Sequence, residues 1–232
     1  MIGKVGHMKK SILLYLFFVL ITFIGMLFGK SLSLPGLRVW EITNVLLLLL
    51  GVPVIALLSK AGLPPLFRSE VSLRQILLLP MLLGIGFGLL DLLVIELILP
   101  HPTHTTLPPY TQPFPYSLFL YFSGALEIEV FYRLIPITLV MYLFNNYWGG
   151  RYSNQAFCII AILTSLREPL EQWPSGPSWF VVYSLVTGFA MNFLQAWYCR
   201  KEGFLASLSV RWGHYLIWHI LNGMVIEFFI IQ

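Results

Sequence analysis

The residues from Ser11 to Gly29 form an unbroken apolar stretch without a charge, preceded by Lys9 and Lys10 and closed by Lys30. A helix crossing the hydrocarbon core of a bilayer needs about 20 such residues. The stretch is too long for the apolar part of a signal peptide, and Lys30-Ser31-Leu32-Ser33 gives no small-residue cleavage site, so it reads as an uncleaved first span. Further apolar runs follow at Ile42–Ser59, Ile76–Leu99, Ser117–Phe144, Ala156–Leu166, Trp179–Cys199 and Phe204–Ile231. The fifth run has eleven residues, about 16 Å of helix at 1.5 Å per residue, and spans only if it continues through Arg167 and Glu168. Composition agrees: 58% of the 232 residues are hydrophobic and 10% charged, against about 25% charged in soluble domains. A soluble enzyme and a nucleic-acid module are excluded by this surplus of apolar surface. The expectation is an all-α integral membrane protein with about seven transmembrane helices, multi-pass in the cell membrane and in contact with its lipids.

Charge placement predicts the orientation. With the N terminus inside, cytoplasmic segments hold Lys4, Lys9, Lys10, Lys60, Arg68, Arg74, Arg151, Arg200 and Lys201, and outside segments hold Lys30, Arg38 and Arg167. Nine against three favours N-in. The formal charge of +4 is spread along the flanks of apolar runs and is no nucleic-acid footprint. Cys158 and Cys199 do not suggest a disulfide framework or a metal site. Residues 1–115 read as an N-terminal three-helix region and 116–232 as a four-helix core. The loop from His101 to Pro115, uncharged and rich in Pro and Thr, reads as an ordered extracellular cap.

Ionisable residues at membrane depth are expensive, at about 2.5–3.5 kcal/mol each, and usually face a cavity or a partner. The fourth run carries Glu127, Glu129 and Arg133 near its centre. Glu129 and Arg133 are four apart and are expected to pair on one helix face. Glu127 points about 160° away from Glu129 at 100° per residue, and needs a different partner. The last run holds His214, Trp218 and Asn222 on one stripe, with His219 about 140° round from His214 but three residues from Asn222. A carboxylate and an imidazole converging on a wet cavity could activate water for amide hydrolysis, with an Asn or Arg as oxyanion donor.

Glu129-Val-Phe-Tyr-Arg133 resembles the first motif, E-E-x-x-x-R, of the CPBP family of type II CAAX-protease and bacteriocin-processing (Abi) membrane proteins. The stretch from Leu185-Val-Thr-Gly188 through Cys199-Arg-Lys-Glu-Gly203-Phe-Leu, followed by a His-bearing helix, is similar to the family's closing helix pair with its H-x-x-x-N motif. The resemblance covers about Ser117 to Asn222. It implies a CAAX-protease/Abi-like bundle, with 116–232 as its core, and an intramembrane endopeptidase acting on a membrane-associated peptide or a prenylated protein. Glu127, Glu129, Arg133, His214 and His219 would be its catalytic groups, and Glu168, Trp218 and Asn222 would line the cavity. A divalent metal such as zinc is the one cofactor it admits.

The sequence departs from the motifs in particular places. Aligned on Arg133, the first Glu falls on Ile128, with Glu127 one position away. The middle motif, F-x-x-x-H, has no His in the fifth run, where the polar groups are Arg167, Glu168 and Gln172. His214 is followed four residues later by Trp218, and His219 by Gly223. An inert relative, binding a peptide or membrane partner as a bacteriocin-immunity protein would, is therefore the alternative. A transporter or proton-coupled channel ranks third, since no internal repeat is visible. The bland readings stay open beside these: Glu129 and Arg133 as a structural ion pair, packing roles for the histidines, and Arg167 with Glu168 as an interfacial pair. Gly84, Gly86 and Gly88 suggest a close helix approach. Asp91 and Glu96 read as a lumenal lining or an interfacial exit, and His101 with His104 as a weak metal pair.

Overall fold

The computed structural model describes residues 2–66, 71–99 and 102–231, with side chains from His7 onward. Helix forms wherever an apolar run was found, and no strand occurs among the described residues. Seven helices result: α1, Ile2–Ser31; α2, Ile42–Leu57, broken at its middle; α3, Arg74–Ile98; α4, 116–147; α5, Ser153–Glu171; α6, Ser178–Lys201; and α7, 204–230. The fifth run does continue through Arg167 and Glu168, giving 19 helical residues, about 28 Å. Arg68 and His101, both invoked above, lie outside the described residues.

The outer surface is the lipid signature. On α1, Leu13, Phe17, Leu20, Ile24 and Leu27 are exposed, while Tyr15, Phe18, Val19, Thr22 and Met26 are buried. The exposed side chains recur at four and three residues, so one apolar stripe faces outward and another faces the bundle. Such a stripe has no favourable contact with water; it suits acyl chains. Three helices are long and apolar enough to cross a membrane: His7–Ser31, Arg74–Ile98 and Ser178–Lys201. Helix α2 is apolar but shorter.

Residues 1–115 and 116–232 share one interior. Helix α1 packs on α4, and α3 packs on α7. The α3–α7 crossing is close because glycines meet backbone there. A Cβ on Gly84 would stand 1.8 Å from the Val210 carbonyl oxygen, and one on Gly213 would stand 2.1 Å from that of Met81. Gly88 meets the Ile217 side chain and the His214 carbonyl in the same way. Gly86 faces open space, contrary to expectation, because it lies on the opposite side of the helix from Gly84 and Gly88.

Three of the long helices contain π-helical turns, at Arg74–Leu78 and Leu93–Ile98 in α3, Val130–Leu134 in α4, and Leu216–Leu221 and Ile226–Ile230 in α7. Two of these turns, at Arg74–Leu78 and Val130–Leu134, end just before a proline, Pro80 or Pro136. A proline has no N–H to give and its ring crowds the carbonyl four residues back, so the ladder loosens there. The loop from 102 to 115 has no regular structure but is anchored. Gln112 accepts from the Arg38 amide, the Tyr110 carbonyl accepts from Tyr121, and the Phe114 amide donates to Glu227. It closes one end of the bundle.

Candidate functional site

Two polar layers occupy the interior, one sealed and one hollow. The sealed layer is built from α4, α5, α6 and α7. Arg211 lies at its centre and is fully buried. Its terminal nitrogens donate to both oxygens of Glu168 at 2.8 and 2.7 Å, a bidentate pair, and its Nε donates to Glu129 at 2.9 Å. The remaining Glu129 oxygen accepts from Ser207, and Asn192 and Gln195 accept further bonds from Arg211. Arg133 reaches Asn192 and Gln195 from the other side and bonds the Thr164 carbonyl at 3.3 Å. One guanidinium, that of Arg211, thus meets two carboxylates through charge-assisted contacts, with Arg133 tied to the same amides behind it.

This corrects the expected pairing. Glu129 pairs with Arg211, not with Arg133, although four residues separate it from the latter. The physical reason is the π turn at Val130–Leu134, which begins immediately after Glu129. A turn closed by i→i+5 bonds takes more residues than an α turn, so the four-residue rule fails across it. Glu168, expected at a cavity wall, is both Arg211's principal partner and part of that wall.

The hollow layer is a cavity of about 850 Å³ adjoining the first. Glu127, Glu168, Arg211, His214, Trp218 and His219 line it; Glu129, Arg133 and Asn222 do not. His214 Nε2 lies 2.8 Å from Asp91 Oδ2, and the Tyr183 hydroxyl donates to Asp91 Oδ1 at 2.6 Å. Histidine and carboxylate therefore meet as expected in kind, but the carboxylate is Asp91 on α3. Neither Glu127 nor Glu129 bonds to His214 or His219. The sequence reads Asp91 as a lumenal lining or an interfacial exit, and nothing in its spacing joins residues 91 and 214. The close glycine crossing of α3 on α7 is what brings them together.

His219 Nδ1 meets the Tyr110 carbonyl. A carbonyl only accepts, so Nδ1 carries the hydrogen and Nε2 carries the lone pair. The ring is stacked on Tyr121 at 4.3 Å and 6°, and edge-on to Tyr215 at 4.5 Å. His214 and His219 have centroids 6.5 Å apart despite the 140° separation an α-helix would give. The π turn at Leu216–Leu221 brings residues five apart close to one face. Trp218 stacks on Tyr110 at 4.9 Å and 17°, which fixes the capping loop over the cavity. Asn222 is buried beside the Tyr110 hydroxyl.

Glu127 faces the cavity from α4 with no cation partner among the described residues, and its polar neighbour is the Asn44 side chain from α2. Arg38, from the loop between α1 and α2, lines the same cavity and donates to the Tyr121 hydroxyl at 2.8 Å. A catalytic zinc takes three protein ligands. Among the described residues no three of His, Cys, Asp and Glu converge in that way, so the side chains do not fit such a metal. His104 stands 3.9 Å from Glu96, away from this cavity, and its expected companion His101 is outside the described residues. Arg167 pairs with Glu171 at 2.7 Å on the exposed side of α5, not with Glu168.

Sequence reasoning missed Arg211, Asn192, Gln195, Tyr183 and Arg38. A signal existed for Arg211: a lone arginine in the middle of an apolar run needs a buried carboxylate. Fold and site define an all-helical chain with three helices able to cross a membrane, a sealed ion cluster and an adjoining polar cavity. No family model, curated protein or solved structure matches it.

Proposed function

We propose that this chain is a multi-pass protein of the cell membrane, with its N terminus inside and a CPBP-like organisation. Its cavity binds a membrane-associated peptide or prenylated C terminus without cleaving it. The observation behind this reading is Arg211. It takes up Glu129 by one hydrogen bond and Glu168 by two. A general base must reach the water it activates and keep a lone pair for its proton. Glu129 fails the first requirement: it is sealed from the cavity, and both of its oxygens are held by Arg211 and Ser207. What remains toward the cavity is a recognition surface of three carboxylates, two guanidinium groups, two histidines and several aromatic rings.

Hydrolysis is the second reading, supported by Glu127, which faces the cavity without a cation partner. Purified protein in lipid nanodiscs, mixed with a fluorescent peptide ending in a farnesylated cysteine, separates the two. Binding predicts a saturable rise in anisotropy with the peptide mass unchanged. His219→Ala or Trp218→Ala should weaken it at least about tenfold, or ~1.4 kcal/mol. A new, shorter peptide mass that disappears in Glu127→Gln would overturn the binding reading in favour of hydrolysis. No binding and no cleavage would remove both.

A further inference from the structure

The cavity holds two opposite charges that do not neutralise each other. Among the described residues Arg38 has no carboxylate within 4 Å, and Glu127 has no basic group within 4 Å. Every other charged group on the lining is matched: Arg211 by Glu168, and Asp91 by His214 and Tyr183. Their positions along α4 are ordered. Tyr121, the hydroxyl that receives Arg38, and Glu127 both line the cavity and are six residues apart, about 9 Å along the helix axis. Gly124 lies between them on the same lining, and a Cβ there would find only a Tyr215 ring atom, at 3.9 Å. The wall between the two charges is therefore bare.

Aromatic rings complete the enclosure: Trp40, Phe87, Tyr121, Tyr183, Tyr215 and Trp218. Ring faces attract cations and a carboxylate without a cation partner balances their charge, so a lining that carries both suits an ammonium group. A guanidinium on the same lining suits a phosphate or carboxylate, which it can grip by two parallel bonds. At about 850 Å³ the space is within the usual range of small-molecule sites.

We infer that the cavity, which aromatic rings line, binds a zwitterion with its ammonium group at Glu127 and its anionic group at Arg38. This rests on the reading of the cavity as a binding site and goes beyond it in the chemistry of the occupant. A phospho-ammonium group can reach the site as a lipid head group or as a small soluble molecule.

Two arms test the inference and separate these sources. In the first, wild-type protein in nanodiscs containing equal phosphatidylethanolamine and phosphatidylglycerol is released into the gas phase and its retained lipids are weighed. In the second, phosphoethanolamine is titrated into protein in phosphatidylglycerol nanodiscs by calorimetry. Retention of phosphatidylethanolamine over phosphatidylglycerol by about tenfold or more supports a lipid source, and saturable phosphoethanolamine binding supports a soluble one. In either case Glu127→Gln and Arg38→Gln should each abolish the preference or the binding. Glu127→Asp and Arg38→Lys, which keep the charges, should retain part of it, and Arg151→Gln on an exposed loop should change nothing. Equal retention of the two lipids with no phosphoethanolamine binding overturns the inference, as does a preference unaffected by both charge-removing variants. If the farnesylated peptide still binds in that case, the binding reading stands and only the zwitterion falls.

Discussion

Arg211→Met is the sharpest test of how the interior is held. The substitution keeps an unbranched apolar stem but removes the guanidinium, leaving Glu129 and Glu168 in the bundle with Arg133 as the only remaining cation of the cluster. Arg133 does not touch either carboxylate; its nitrogens go to Asn192, Gln195 and backbone carbonyls. Removing one partner of a buried pair costs about 3–5 kcal/mol, much of it the desolvation of the charge left behind. For a chain of this size each kcal/mol shifts the melting temperature by about 2–4 °C, so Arg211→Met should melt about 6–20 °C below wild type. The assay is intrinsic-fluorescence thermal unfolding in detergent, read from the seven tryptophans. The control is the triple variant Arg211→Met, Glu129→Gln, Glu168→Gln. It removes the stranded charges while keeping amides that can bond Ser207 and Asn192, and should recover at least about half of the loss. A drop under about 3 °C in the single variant would refute the argument. So would a triple variant as unstable as the single, because stranded charge would then not be the cause.

Two further outcomes follow from the fold and its proposed orientation. Gly84→Ala places a methyl group 1.8 Å from the Val210 carbonyl and should prevent α3 from seating on α7, seen as loss of folded monomer in size-exclusion chromatography; Gly86→Ala, facing nothing within 4 Å, should be indistinguishable from wild type. With Cys158 and Cys199 replaced by Ser, a cysteine at Lys9 should resist a membrane-impermeant maleimide in intact cells and one at Ser33 should react, and the reverse pattern would invert the N-in assignment.

The seven helices were legible because span length is a property of composition. An apolar run of about 20 residues has few ways to satisfy its backbone in lipid other than helix. Gly84 and Gly88 were legible for a related reason: without a hydrophobic force between spans, small residues allow backbones to approach. The polar interior was less legible. The expected Glu129–Arg133 pair applied α-helical spacing across residues that form a π turn, and the same assumption set His219 apart from His214. Pro136 marks the first of these turns, but no proline marks the turn at Leu216–Leu221, so sequence offers a warning in one case and none in the other. The Asp91–His214 contact joins residues 123 apart in the chain. It depends on which faces α3 and α7 present to each other, and periodicity within either helix does not specify that.

Helix α7 ties the two polar layers into one device. Ser207, Arg211 and His214 follow at intervals of four and three on one stripe, and Trp218, inside the π turn at Leu216–Leu221, joins His214 on the cavity wall. The upper members, Ser207 and Arg211, are fixed by Glu129 and Glu168. The lower members, His214 and Trp218, are fixed by Asp91 and by stacking on Tyr110. Rotating α7 by even one residue, about 100°, would break all of these contacts together. The ion cluster therefore sets the angle at which the histidines enter the cavity, although Glu129 and Arg133 are not part of its wall. Variants of Glu129 and Arg133 should accordingly lower stability and ligand affinity in parallel, whereas Glu127→Gln should lower affinity with little change in melting. That divergence is what distinguishes a lock from a site, and it assigns Glu129 to the first and Glu127 to the second.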